Sequence, residues 1–120
     1  MGNFSSGIDV VSLERAERSF SNARFLSSVF TDREIELAYS MREPGRHLAG
    51  RFAAKEAFVK ALSKGILSGI RLKDIEITAT PGGPPAFKLG KKPEGLVAGR
   101  SVHLSLSYTS HFAFALVVIG

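Results

Sequence analysis

The sequence predicts an α+β fold in which a small antiparallel sheet packs around one long buried helix. Three observations carry that expectation. The first is a helical run from about Arg46 to Lys64, built on Gly50-Arg-Phe-Ala-Ala-Lys-Glu-Ala-Phe-Val-Lys-Ala-Leu62. It is rich in strong helix formers, and no proline or glycine interrupts it after Gly50. At about 100° per residue its apolar side chains and alanines cover nearly the whole circumference, as in a helix enclosed by its own protein. The second is a set of short β-type segments near the start of the chain and in its second half. The third is size: 120 residues, 44% of them hydrophobic and none in low-complexity sequence, predict one domain over 1–120 with a modest core.

Taken in order, Gly7-Ile-Asp-Val-Val11 reads as a strand, with Ile8 and Val10 on one side and Asp9 and Val11 on the other. Ser12 is the expected cap of a first helix over Leu13 to Phe20. Asn22 to Phe30 reads as a loop or short helical turn with aromatic anchors. Thr31-Asp-Arg-Glu34 is a capping-box pattern, so a second helix should run from about Asp32 to Met41, where Glu43-Pro-Gly45 stops it. The long helix follows and ends at Lys64-Gly65, with Gly65 and Gly69 bracketing a loop.

Asp74 to Thr80 alternates as a strand with Ile75, Ile77 and Ala79 inward. Pro81 to Pro85 is a turn, and Ala86 to Leu89 pairs back as the second arm of a hairpin. Pro93 to Gly99 reads as a loop or a single helical turn. Val102 to Ser107 and Phe112 to Ile119 are two more strands, joined by a tight turn at Tyr108 to Ser110. The last strand is apolar on both faces, which places it in mid-sheet or at a subunit contact.

Charge narrows the partners. A net charge of +5 favours polyanions, whether nucleic acid, phosphorylated small molecules or acidic proteins, without choosing among them. There is no cysteine, so disulfides, thiolate metal sites and cysteine nucleophiles are excluded, in keeping with a reducing cytoplasm. The longest apolar run, Phe112 to Ile119, is too short to span a bilayer, and the N-terminus lacks a signal-peptide pattern. No Gly-x-Ser-x-Gly elbow and no phosphate-cradling Gly-x-x-x-x-Gly-Lys loop is present. His47, His103 and His111 have no metal-ligand spacing.

The chemistry gathers on the long helix. Glu56 and Lys60 stand one turn apart on a stripe bordered by Ala49 and Ala53, small neighbours that leave room for something to lie over the pair. An ordinary surface ion pair has the same spacing. Asp9, a carboxylate inside a β-branched strand, has no evident structural task beyond an edge or capping role. Together Asp9 and Glu56 can hold a hard cation such as Mg²⁺, with substrate and water oxygens completing the shell. Lys60 would then contact a phosphate oxygen, and Arg42, Arg46 and Arg51, near the helix start, would take further phosphate charge. That pattern suits phosphoryl transfer. Spacing alone does not place Asp9 against Glu56. Arg15, Arg18 and Arg24 form a basic surface that Glu14 and Glu17 partly offset, the pattern of a solvated face.

Four blocks carry a resemblance: Gly7-Ile-Asp-Val-Val-Ser-Leu-Glu-Arg15, Phe30-Thr-Asp-Arg-Glu34, Gly50 to Leu62, and Ser105-Leu-Ser-Tyr-Thr109. In them the chain resembles the holo-acyl-carrier-protein synthases, small 4′-phosphopantetheinyl transferases, over nearly its whole length. The resemblance implies the 4′-phosphopantetheinyl transferase fold and a reaction. The phosphopantetheine arm of coenzyme A moves to a serine of an apo-acyl carrier protein, in fatty acid and lipid biosynthesis, and adenosine 3′,5′-bisphosphate is released. It further implies Mg²⁺ as cofactor, a cytoplasmic location, and a homotrimer with sites at subunit contacts, where a neighbour completes the nucleotide pocket. Residue by residue, Asp9 and Glu56 match the family's metal-binding carboxylates and Lys60 its lysine beside the pyrophosphate. Arg51 matches an arginine at the coenzyme A site, and Arg42 falls where the family tends to carry basic residues for the 3′-phosphate, with Arg46 adding to that charge. Tyr108 and Thr109 stand in the block where the family contacts the nucleotide. Arg15 matches the first-helix arginine that meets the acidic carrier protein, and Arg18 and Arg24 extend that surface.

Two departures stand out. Many members carry histidine where this chain has Tyr108, and tyrosine takes no positive charge near neutral pH. The turn Gly82-Gly-Pro-Pro85 also has proline where members often carry Gly-Lys-Pro, removing one cation. Two rival readings follow from the residues themselves: a basic module that binds nucleic acid or acidic protein without using coenzyme A, and a coenzyme A-binding relative that transfers poorly.

Overall fold

The computed structural model describes residues 4–62, 69–79 and 83–120. Its elements are β1 (Ser5–Ser12), α1 (Leu13–Phe20), α2 (Ala23–Val29), α3 (Asp32–Ser40) and α4 (Pro44–Ala61), then a 3₁₀ turn (Leu72–Asp74), β2 (Ile75–Thr78), β3 (Ala86–Leu89), α5 (Lys91–Val97), β4 (Val102–Tyr108) and β5 (Phe112–Ile119). The expected α+β architecture is present. A three-stranded antiparallel sheet in the order β1-β5-β4 wraps α4, and β2 and β3 form a separate hairpin.

α4 is the axis of the molecule. Pro44 at its first turn has no N–H to leave unpaired, so the helix starts earlier than Arg46. Eleven of its residues are buried, among them Leu48, Ala53, Ala57 and Phe58. The expected stop at Lys64-Gly65 lies outside the described residues, as do Thr80 and the first part of the Pro81–Pro85 turn. β1 runs close against α4 because residue 7 is glycine. A Cβ there would overlap the Ala57 carbonyl oxygen and stand 2.7 Å from the Ala61 nitrogen. β5 lies mid-sheet, with Ala113, Ala115, Val117 and Ile119 buried. Its other face, with Phe112 and Leu116, is open.

Local signals were reliable at helix starts. Ser12 accepts from the Arg15 N–H at 3.3 Å, and Thr31 with Glu34 forms the reciprocal capping box. Three expectations change. Ala23–Val29 is a helix, capped by Asn22 Oδ1 accepting from the Phe25 N–H at 3.0 Å. Lys91–Val97 is a helix of two turns, closed by Ala98 in the left-handed region (φ 55°). Ala79 is exposed, because β2 ends at Thr78 and the alternation ends with it.

Candidate active site

Gly7, Asp9 and Val11 share the face of β1 that meets α4, and the close approach at Gly7 brings Asp9 over the C-terminal half of that helix. Lys60 Nζ donates to Asp9 Oδ1 at 2.8 Å and to the Ile8 carbonyl at 3.0 Å. The lysine therefore pairs across elements with Asp9, and the within-helix pairing to Glu56 that spacing allows is not formed. Glu56 lies beside both. Burial first, and then the Asp9 carboxylate, hold its pKa above the usual carboxylate range, while the Lys60 ammonium partly offsets them. The structure thus brings Asp9, Glu56 and Lys60 together. Ala49 and Ala53 are fully buried, so the protein itself covers them, and the open space next to Glu56 lies elsewhere.

That space is a groove of about 400 Å³, lined by Asp9, Glu56, Arg15, Phe20, Phe25 and Phe52 among others. Ser12 starts α1 immediately after β1, which sets Arg15 on the rim near Asp9. The aromatic wall comes from three helices. Phe20 stacks on Phe25 with centroids 5.5 Å apart and meets the edge of Phe52 at 5.5 Å. Phe25 and Phe52 went unnoticed in the sequence as site residues. Phe52 stands one turn before Glu56, and that i,i+4 relation is the signal that could have found it. Arg15, Arg18 and Arg24 are all exposed, and of the three Arg15 lines the groove.

The remaining predicted residues lie at or before the N-terminal half of α4. The Arg46 guanidinium sits 4.6 Å above the Tyr108 ring, and its Nη1 donates to the Thr109 carbonyl at 3.0 Å. Arg51 is 8% exposed, with its Nε unpartnered and the Tyr108 hydroxyl beside its guanidinium. Burial lowers the Arg51 pKa, and Tyr108 and the Glu34 carboxylate pull against that shift. Arg42 is exposed before the helix start. None of Arg42, Arg46, Arg51, Tyr108 or Thr109 lines the groove. At 1.5 Å per residue, Arg46 and Glu56 are separated by about 15 Å along the helix.

Among the described residues no three His, Cys, Asp or Glu side chains converge as a closed metal site. Asp9 and Glu56 make a two-carboxylate donor set, in which burial and then the Asp9 charge raise the Glu56 pKa. Such a set fits a hard divalent cation that takes its other oxygens from substrate phosphate and water.

A buried ion pair behind the site was also missed. Lys55, with no exposed surface, donates from Nζ to Glu34 Oε1 at 2.7 Å, to the Val29 carbonyl at 2.8 Å and to the Leu72 carbonyl at 3.0 Å. Glu34 also accepts from the Thr31 N–H at 2.9 Å and the Ile77 N–H at 3.0 Å. This hub ties α3, α4 and β2 together and fixes the rotation of the helix that carries Glu56. In the sequence Lys55 shows only as one more lysine of the helical run.

Residues 5–117 match the family model described as the 4′-phosphopantetheinyl transferase superfamily. The holo-acyl-carrier-protein synthase of Vibrio atlanticus is 37% identical over 118 residues, covering 94% of each chain. The crystal structure of the Neisseria meningitidis holo-acyl-carrier-protein synthase matches with a TM-score of 0.86 at 33% identity, covering 97% of both chains. The Helicobacter pylori holo-acyl-carrier-protein synthase, solved in complex with coenzyme A, matches with a TM-score of 0.83 at 33% identity, covering 96% of this chain and 99% of that one. With the Asp9–Glu56–Lys60 constellation in place on the matching fold, the chain belongs to the holo-acyl-carrier-protein synthase family of the 4′-phosphopantetheinyl transferase superfamily.

Proposed function

We propose that the protein transfers the 4′-phosphopantetheine arm of coenzyme A to a serine hydroxyl of an apo-acyl carrier protein, serving fatty acid and lipid biosynthesis. The observation that carries this reading is the convergence of Asp9, Glu56 and Lys60 at the mouth of a groove whose rim carries Arg15. In the reaction the serine oxygen bonds to the β-phosphorus of coenzyme A, and the serine proton passes to a nearby carboxylate or to solvent. The bond from that phosphorus to the bridging oxygen breaks, releasing adenosine 3′,5′-bisphosphate. Lys60 has three N–H donors and uses two on Asp9 and Ile8. The third is available to a phosphate oxygen of the leaving group, and the ammonium is held in place by the first two. Asp9 and Glu56 are the residues that would hold Mg²⁺, which neutralises pyrophosphate charge when bound. Arg15, Arg18 and Arg24 offer an acidic carrier a cationic surface at the groove.

The separation of the two clusters supports a shared site. One chain offers the carboxylates and groove at one end of α4 and the arginine–tyrosine cluster at the other, so a neighbour's cluster completes the nucleotide pocket in a homotrimer. The open sheet face fits the same assembly: Ile8 is 61% exposed and its cross-strand partner Leu116 is 42% exposed. Val10 and Phe112 continue that apolar strip, which a second copy would cover. A cytoplasmic location, shared with the carrier, belongs to the same reading. Among the described residues no helix is long and apolar enough to cross a membrane.

The test is to incubate the protein with apo-acyl carrier protein, coenzyme A and Mg²⁺ and weigh the carrier. The expected result is a mass increase of one phosphopantetheine per carrier, lost when the metal is chelated. An unmodified carrier refutes the reading.

A further inference from the structure

Tyr108 occupies the nucleotide cluster without pointing outward. It closes β4 on the face shared with Val102, Leu104 and Leu106, so its ring is half-buried against α4. Gly50 makes the seat for it. A Cβ at Gly50 would overlap the Tyr108 hydroxyl and stand 2.7 Å from Cζ. The hydroxyl lies beside the guanidinium of the buried Arg51. Its polar end is therefore directed at α4. The ring face is what remains, and it carries Arg46 at 4.6 Å. The Thr109 carbonyl holds one end of the same guanidinium at 3.0 Å.

This geometry divides the labour. A long arginine side chain at the edge of a helix is ordinarily free to rotate, and ordering it costs conformational entropy at the moment of binding. Stacking on an aromatic face and one hydrogen bond order it beforehand. The Thr109 carbonyl can occupy only one of the five N–H donors of the guanidinium. The others remain for an anion, and a phosphate monoester is the group that a planar fork binds best.

We propose that Tyr108 is a positioning residue: seated on Gly50, it holds Arg46 in the orientation that binds the 3′-phosphate of coenzyme A, and so sets the preference for coenzyme A over its 3′-dephospho form. This rests on the transfer reading above and deepens it. Tyr108 acts through Arg46 and needs no charge of its own.

The experiment measures kcat and KM with coenzyme A and with 3′-dephospho-coenzyme A, using the whole protein, apo-carrier and Mg²⁺. The wild type should prefer coenzyme A. Tyr108→Leu removes the ring and should reduce that preference by about tenfold, through KM for coenzyme A rather than through kcat. Arg46→Ala should do the same, and the double variant Tyr108→Leu/Arg46→Ala should lose nothing further, because both act on one contact. Tyr108→Phe keeps the ring and should keep the preference. Should Tyr108→Leu fail to fold, Gly50→Ala displaces the ring while leaving it present, and it should lower the preference in the same way. The proposal is overturned by an unchanged preference in Tyr108→Leu or Gly50→Ala, by equal losses with both substrates, by additive losses in the double variant, or by loss of the preference in Tyr108→Phe. A wild type that uses both substrates equally also overturns it. A wild type that transfers nothing from either substrate refutes the transfer reading instead.

Discussion

Replacing Lys55 by methionine tests whether the buried ion pair holds the fold. The change keeps the side chain's length and removes its charge and its three hydrogen bonds to Glu34, Val29 and Leu72. Glu34 is then left as a carboxylate without its counter-charge, and its side chain is only 3% exposed. Breaking one side of such a pair costs about 3–5 kcal/mol. That is a large share of the roughly 5–15 kcal/mol by which a domain is stable. Each kcal/mol lowers Tm by about 3–5 °C at this chain length, so Lys55→Met should melt about 9–25 °C below the wild type by calorimetry. Because solvent hardly reaches the pair, added salt should change this difference little. Lys55→Met/Glu34→Leu removes both charges and should be less destabilised than the sum of the two single variants. A Tm within about 3 °C of the wild type in Lys55→Met would refute the reasoning, as would additive losses in the double variant.

Three further outcomes are expected. Glu56→Gln should abolish transfer and leave the metal-free protein melting at or above the wild-type temperature at neutral pH, since an ionised, desolvated carboxylate facing Asp9 is removed; retained activity would sink the metal assignment. Arg15→Glu should raise KM for the carrier protein with little change in kcat, and the defect should shrink as salt is added; a carrier KM equal to the wild type at low salt would remove Arg15 from the docking surface. His47 tests the pH response. Burial, and then the nearby Arg51 charge, lower its pKa from 6.5 to about 4. The unfolded chain therefore takes up the proton first, so this contribution is intact above about pH 6.5 and is lost as pH falls towards about 4. A shift of that size is worth about 3 kcal/mol in full, reduced to about 1–2 kcal/mol for a half-buried ring. His47→Gln should accordingly lose less stability than the wild type between pH 7 and pH 5 in urea titrations, and equal losses would show that the imidazole does not carry the effect.

How much was legible follows from how local each feature is. Hydrophobic periodicity located α4 and the strands, because a helix or strand face is a property of neighbouring residues. Ser12 and the Thr31–Glu34 box marked helix starts, because a cap bonds within three residues. The weakly periodic α2 and the short α5 escaped for the same reason: two turns hold too few apolar positions to show a period.

The residue types needed for the chemistry were also present in the sequence, and the family motifs named Asp9, Glu56 and Lys60. Who touches whom was decided by tertiary structure. Lys60 pairs with Asp9 because Gly7 lets β1 lie against α4, a contact between residues far apart in the chain. Lys55 looked like one more helix-forming lysine, and it became the centre of a buried hub only when α3 and β2 closed over it. Arg46 shares α4 with Glu56, yet ten residues of helix set the two about 15 Å apart along its axis. Composition and pattern determine which elements form and which chemistry they can carry. Distances between elements depend on packing, and packing joined one carboxylate to a lysine and buried another lysine, whereas the spacing of Arg46 and Glu56 along one helix was already fixed by their positions in the chain.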